Sequence, residues 1–311
     1  MALDVGLVLF VLGVAVWTVA ARDAFSAVIG FVVYGLLLAL VWMRLAAPDV
    51  ALTEAAIGSG LTGGLLLGTS TRLRGTETPA TGKKSVTGLR LAAALLCSLA
   101  SIGLAMIVLL LPEPAPTLAP QAAANMAATG LGNPVTAVLM AYRAIDTLFE
   151  TVVLLLALLG VWSLTPDRFW GGLPGRGRNA DPEGVLTFAV QLLVPVGILI
   201  GVHIFWVGSV APGGEFQGAT ILAAMWILAA MAGLVDAPRV SRRGLRLMLV
   251  AGPAVFFAIG LAGFAMAGAF LAYPEAHAKL LILTIEVPVT LSIAVTLALL
   301  VAGPPERTPQ Q

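Results

Sequence analysis

Nine stretches of this 311-residue chain run for sixteen residues or more with almost no charge: Val5–Ala21, Ala24–Met43, Ala55–Thr71, Leu91–Leu111, Thr151–Pro166, Val185–Gly214, Phe216–Val235, Leu247–Tyr273 and Leu280–Gly303. His203 lies within the sixth and Glu286 within the ninth. About 20 apolar residues cross a bilayer as a helix, so the pattern predicts an all-α polytopic membrane protein with nine transmembrane helices. Composition agrees, because only 11% of the residues are charged, against roughly 25% in soluble domains. A net charge of +1 offers no basic face for nucleic acid. The lone Cys97 excludes an internal disulfide or Cys-cluster metal site, and His203 and His277 leave little for a haem. No cofactor or metal is expected.

Basic residues fix the expected orientation. With the N-terminus outside, fourteen of them fall on the cytoplasmic side, including Arg72, Arg74, Lys83, Lys84, Arg90, Arg176, Arg178 and the group Arg239, Arg242, Arg243 and Arg246. Only Arg44, Arg143 and Lys279 fall outside. Adding or removing one helix would scramble this asymmetry. The first stretch has no basic residues before it and no small-residue cleavage motif after it, so it reads as a helix and not as a signal peptide.

Polar linkers divide the helices into a 3 + 2 + 4 arrangement. The Thr/Gly/Lys-rich Gly75–Gly88 follows helix three, and the Gly/Arg-rich Asp167–Gly184 separates helices five and six. The expected blocks are therefore 1–74, 89–166 and 182–303. Pro112–Gln121, with four prolines, is an outer loop that cannot be helical throughout.

Ionisable groups inside spans cost about 2.5–3.5 kcal/mol each on insertion scales, so each requires a reason. The fifth stretch is too short to cross alone, and Asn133-Pro134 is an N-cap followed by a first-turn proline. The crossing then includes Arg143, Asp146 and Glu150 on one helix face. Two acids to one base suggest a node on a proton or cation path; the structural alternative is a self-neutralising pair at the outer headgroups.

In helix three, Asp49 suits capping and the helix dipole, but Glu54 lies roughly 7–8 Å deeper. Ala56, Gly60, Gly64 and Gly68 form a small-residue stripe behind it, so Glu54 is expected to face protein and carry protons or cations. Gly58–Gly63 fits GxGxxG, but no strand precedes it, which argues against a dinucleotide site. Pro212-Gly213-Gly214 predicts a tight turn that puts Glu215 at the positive end of helix seven. Pro195 frees the Gln191 carbonyl, and Pro288 frees that of Thr284 near Glu286. His203, His277 and Lys279 fall toward the outer side.

Three strings resemble a known family. Pro48-Asp49-Val50-Ala51-Leu52-Thr53-Glu54-Ala55 resembles the C-terminal membrane region of the A subunit of Mrp-type Na⁺/H⁺ antiporters and a small subunit of membrane-bound hydrogenases. The strings Asn133–Leu139 and Tyr142–Glu150 are similar to the following part of that region. The last four helices, with Pro212–Gly218, resemble the antiporter B subunit, although Gly208-Ser209 and Glu215 stand where that family usually has Gly-His and a third glycine. The resemblance implies a subunit of a complex related to the membrane arm of proton-pumping NADH:quinone oxidoreductase, in a bacterial or archaeal cell membrane. It places Glu54, Arg143, Asp146 and Glu150 on a cation or proton path, to which the residues by themselves add Asp49, Glu215, Glu286, His203 and Lys279.

The expected function is a transport subunit of a Na⁺/H⁺ antiporter complex with no catalytic chemistry of its own, packed against other membrane subunits. Two alternatives stand beside it: a scaffold in which the acids are structural, and membership in a redox-driven, hydrogenase-like pumping complex.

Overall fold

The computed structural model describes residues 2–74, 87–175, 181 and 184–307. The central parts of both polar linkers, with Lys83, Lys84, Arg176 and Arg178, lie outside the described residues. The chain is an all-α polytopic membrane protein. Eight of its described helical segments are long and apolar enough to cross a bilayer. The helix expected as the seventh crossing is shorter, at 17 residues, or about 26 Å at 1.5 Å per residue.

The N-terminal block comprises α1 (Ala2–Ala20), α2 (Ala24–Arg44), and a broken third span made of α3 (Pro48–Thr53), a π-helical segment (Glu54–Leu61) and α4 (Thr62–Arg74). Asp23 caps α2 by accepting from the Ser26 N–H at 2.8 Å. Gly63 meets Val32 of α2 where a Cβ would stand, whereas Gly64 and Gly68 have nothing within 4 Å. The expected stripe therefore does not carry the helix contact. A π turn holds one more residue than an α turn, which rotates everything beyond Leu61 away from the face that an unbroken helix would present.

α5 (Thr87–Leu110) stands with none of its spanning window buried within the chain. Residues 112–118 are non-helical, as the prolines require, before the short α6 (Ala119–Ala124) and α7 (Met126–Thr129). Asn133 caps α8 (Pro134–Ala137), its side chain accepting from the Val135 N–H at 2.9 Å. The sequence suggested one helix from this cap onward. Instead a π turn (Val138–Tyr142) and an irregular Arg143, at φ −131° and ψ 35°, separate α8 from α9 (Ala144–Ser163).

The C-terminal domain comprises α10 (Val185–Val207), α11 (Glu215–Met231), α12 (Arg243–Ala267) and α13 (Ala278–Ala302). α13 lies at the centre, packed against α9, α11 and α12, with 61% of its spanning window buried. Phe256, Ile282, Ile285 and Val289 are fully buried beside Met140 of the second π turn. Gly252 and Ser292 bring α12 and α13 together, the Ser292 hydroxyl donating to the Leu249 carbonyl at 2.6 Å. α10 and α11 meet at Gly201 and Gly218, each beside the other's backbone.

A small clasp closes one end of the domain. Antiparallel strands β1 (Leu173–Pro174) and β2 (Pro305–Arg307) pair, Arg307 bonds to Asp236 at 3.0 Å and to the Gly175 carbonyl, and the Val240 N–H donates to Gly172. Part of the segment expected to be a plain linker is thus folded against residues 305–307.

Candidate ion path and helix-break junction

The three strings singled out in the sequence meet in space, through hydrogen bonds among the starts of three helical segments. Asp49, in the first turn of α3, does not cap its own helix. Its Oδ1 accepts from Asn133 Nδ2 at 3.2 Å and from the Gly213 N–H at 3.0 Å. Asn133 Nδ2 also donates to the Ala211 carbonyl at 3.0 Å. The Thr136 hydroxyl donates to Gly208 at 2.6 Å, and the Gly132 N–H to Ser209 at 2.8 Å. One level down, Gln217 Nε2 donates to the Thr53 hydroxyl at 3.0 Å.

The Gly208–Gly214 turn makes this junction compact. Gly213 and Gly214 have φ of 145° and 137°, which L side chains rarely adopt, and a Cβ on Gly208 would collide with the Gly214 backbone. Breaks in transmembrane helices leave backbone groups unpaired, and these must find partners in a medium that offers none. Here Asp49, Asn133 and Thr136 supply those partners.

Below the junction the acids fall into two groups. Glu54 opens the first π segment and folds back over Gly58, where any Cβ would strike its carboxylate. It lies beside Gly35 of α2, and the adjacent Ser59 hydroxyl is buried without a hydrogen-bond partner. The second group is centred on Glu215 at the start of α11, 6% exposed, and Glu286 in the middle of α13, 2% exposed. Each lies within electrostatic reach of the other, and Glu150 of α9 is within reach of Glu215. Among the described residues none of these three forms an ion pair, and Glu286 Oε1 has no hydrogen-bond partner. Two buried acids thus lie close enough to feel one another's charge, and neither has an ion-pair partner among the described residues. No group of three acid, His or Cys side chains among the described residues is close enough to hold a metal ion, so these are spaced carboxylates and not a metal cage.

The remaining candidates lie apart from this core. Arg143 and Asp146 pair with each other at an exposed site, their side chains 71% and 48% accessible within the isolated chain. His203 is exposed on α10; Lys279 is exposed near the start of α13, its stem against Gly130. Sequence reasoning overlooked Ser59 and Gln217. Gln217 carried a signal, a polar amide two residues into an apolar helix; Ser59 carried none beyond its GxGxxG-like surroundings.

Comparison with known proteins adds to this geometry. Residues 9–75 match the MbhD family, the D subunit of MBH. Residues 185–303 match the domain related to the MnhB subunit of Na⁺/H⁺ antiporters. No curated protein matches the chain. The fold resembles a chain of the Mrp complex from Dietzia sp. DQ12-45-1b, with a TM-score of 0.72 and 24% identity over 98% of this chain. That match covers 35% of the Mrp chain, so this protein spans about a third of its length. It also resembles a chain of an archaeal respiratory complex, the membrane-bound sulfane sulfur reductase, with a TM-score of 0.54 and 24% identity over 67% of this chain and 94% of that one. The chain thus joins a segment that matches MbhD to a domain that matches the MnhB-related family in one multi-pass membrane polypeptide.

Proposed function

We propose that the protein is a membrane subunit of an Mrp-type multisubunit cation/proton antiporter complex, contributing carboxylates to an ion path and carrying out no catalysis itself. The observation that carries this reading is the buried pair Glu215 and Glu286, approached by Glu150 and unmatched by any basic partner among the described residues. A carboxylate in such a setting is expensive unless it takes a proton, a cation or a charged partner. Exchange of a positive ion between neighbouring acids is what a relay requires. Glu54, beside the unpartnered Ser59, provides a second station in the N-terminal block. The exposed Arg143–Asp146 pair sits where another subunit or a water-filled entry could cover it. In this reading α11 also crosses, as the seventh of nine helices, completing the 3 + 2 + 4 arrangement with the N-terminus outside and the C-terminus cytoplasmic.

The test uses inverted vesicles carrying the complete complex, with cation-driven pH change normalised to the amount of complex. Glu54→Ala, Asp146→Ala and Glu286→Gln should each reduce transport per complex. Unchanged transport in all three would remove the proposal, and losses that merely track lower abundance would make the acids structural.

A redox-driven assembly is the second reading, favoured by the MbhD match and the likeness to the sulfane sulfur reductase chain. Copurification with an iron–sulfur subunit would select it.

A further inference from the structure

Between the α10–α11 pair and the α12–α13 pair lies a cavity of about 700 Å³. Its lining is almost wholly apolar, with Val194 from α10, Leu222 and Trp226 from α11, Met248 from α12 and Val295 from α13. Arg242 is the one charged residue among those that line it. Arg242 immediately precedes α12, whose first turn has no side-chain cap, and Arg239, Arg243 and Arg246 stand within four residues of it. The Arg246 side chain is engaged, donating to the Val240 carbonyl at 3.0 Å. Among the described residues the Arg242 guanidinium has no hydrogen-bond or ion-pair partner.

We propose that this cavity is a binding site for an anionic phospholipid, one acyl chain lying between the helix pairs and the phosphate held by Arg242. Three observations converge on an amphiphile of that charge. The volume falls within the range of small-molecule sites, about 300–1,000 Å³. Apart from Arg242, its walls offer almost nothing polar for a soluble metabolite to bond. Its charged end is a planar guanidinium, which binds phosphate oxygens through paired donors, reinforced by the positive end of α12. Basic pockets between transmembrane helices are a recurring way to recognise anionic headgroups. A wholly apolar helix from a partner subunit would fill the same walls but leave the Arg242 charge unanswered.

The site is tested on the purified full-length chain by native mass spectrometry, with dioleoyl phosphatidylglycerol and dioleoyl phosphatidylcholine as probes. Wild type should retain the anionic lipid in preference to the zwitterionic one. Arg242→Gln should weaken that preference about fivefold, the usual contribution of one basic residue near an anionic surface. Ala294→Phe, which narrows the cavity from α13, should reduce retention of both lipids. Arg243→Gln, at a residue that does not line the cavity, should change retention less than Arg242→Gln. A photo-crosslinker at Met248 in the assembled complex should capture lipid. Equal retention of the two lipids by wild type, an undiminished preference in Arg242→Gln, or crosslinking to a polypeptide would each overturn the proposal.

Discussion

Asp49 and Glu286 are both buried carboxylates in membrane-spanning segments, 7% and 2% exposed, yet their surroundings are opposite. Asp49 is met by donors from two other parts of the chain, Asn133 and Gly213, and ties three interrupted helical segments into one junction. Glu286 has a carboxylate oxygen with no hydrogen-bond partner, and its electrostatic neighbour is another acid. Burial alone therefore does not assign a role to an intramembrane acid. The partner set distinguishes the two: fixed donors make a carboxylate part of the framework, whereas on the function proposed above a carboxylate close to another acid takes up and releases a cation.

Substitutions can break or sharpen that contrast. Glu286→Gln has the largest expected effect: transport per complex should fall about a hundredfold, the low end of what a positioned proton-transfer group contributes, with abundance of the complex near wild type. Glu215→Gln combined with Glu286→Gln should lose little more than the worse single substitution, because groups acting in one relay are not additive. A fully additive double variant would separate them. Asp49→Ala should reverse the pattern by leaving the Asn133 amide and the Gly213 N–H short of an acceptor, at about 1–3 kcal/mol for each orphaned group. The readout is a lower thermal inactivation temperature, with activity per surviving complex preserved. Thr136→Val removes the 2.6 Å bond to Gly208 and should cost about 1 kcal/mol by the same assay. Arg143→Gln should change thermal stability least, by about 0–1 kcal/mol, because its ion pair with Asp146 is exposed within the chain.

A second contrast concerns the helices themselves. α5 and α13 have comparable mean hydropathy, 2.5 and 2.2 over their spanning windows, but none of the α5 window is buried, against 61% for α13. Hydropathy identifies both as spans and says nothing of which will be surrounded by protein. α13 buries Thr290, Ser292 and Thr296 along with Glu286, and Ser292 bonds across to α12. α5 carries Ser98, Ser101 and Cys97, and the side chains of residues 91–110 remain exposed. Small and weakly polar residues are necessary for close helix contact in a bilayer, but they do not by themselves name a partner.

The long apolar runs were sufficient to locate the helices, because transfer into hydrocarbon is summed along a local window and does not depend on neighbours. Caps and turns were legible for the same reason: Asn133 before Pro134, and the Pro212–Gly214 turn ahead of Glu215, act through their own few residues. The π segments at 54–61 and 138–142, the β1–β2 clasp and the failure of Gly64 and Gly68 to carry a helix contact were not legible, since each depends on rotation and partners set elsewhere in the chain. The electrostatic proximity of Glu215 to Glu150 and to Glu286, from three different helices, belongs to the same class. Sequence decided which segments would enter the membrane, and placed their local caps and turns, through local transfer energy and local backbone chemistry. Tertiary packing alone decided which acids would be met by donors and which left without a partner, because that depends on the phase at which distant helices come together.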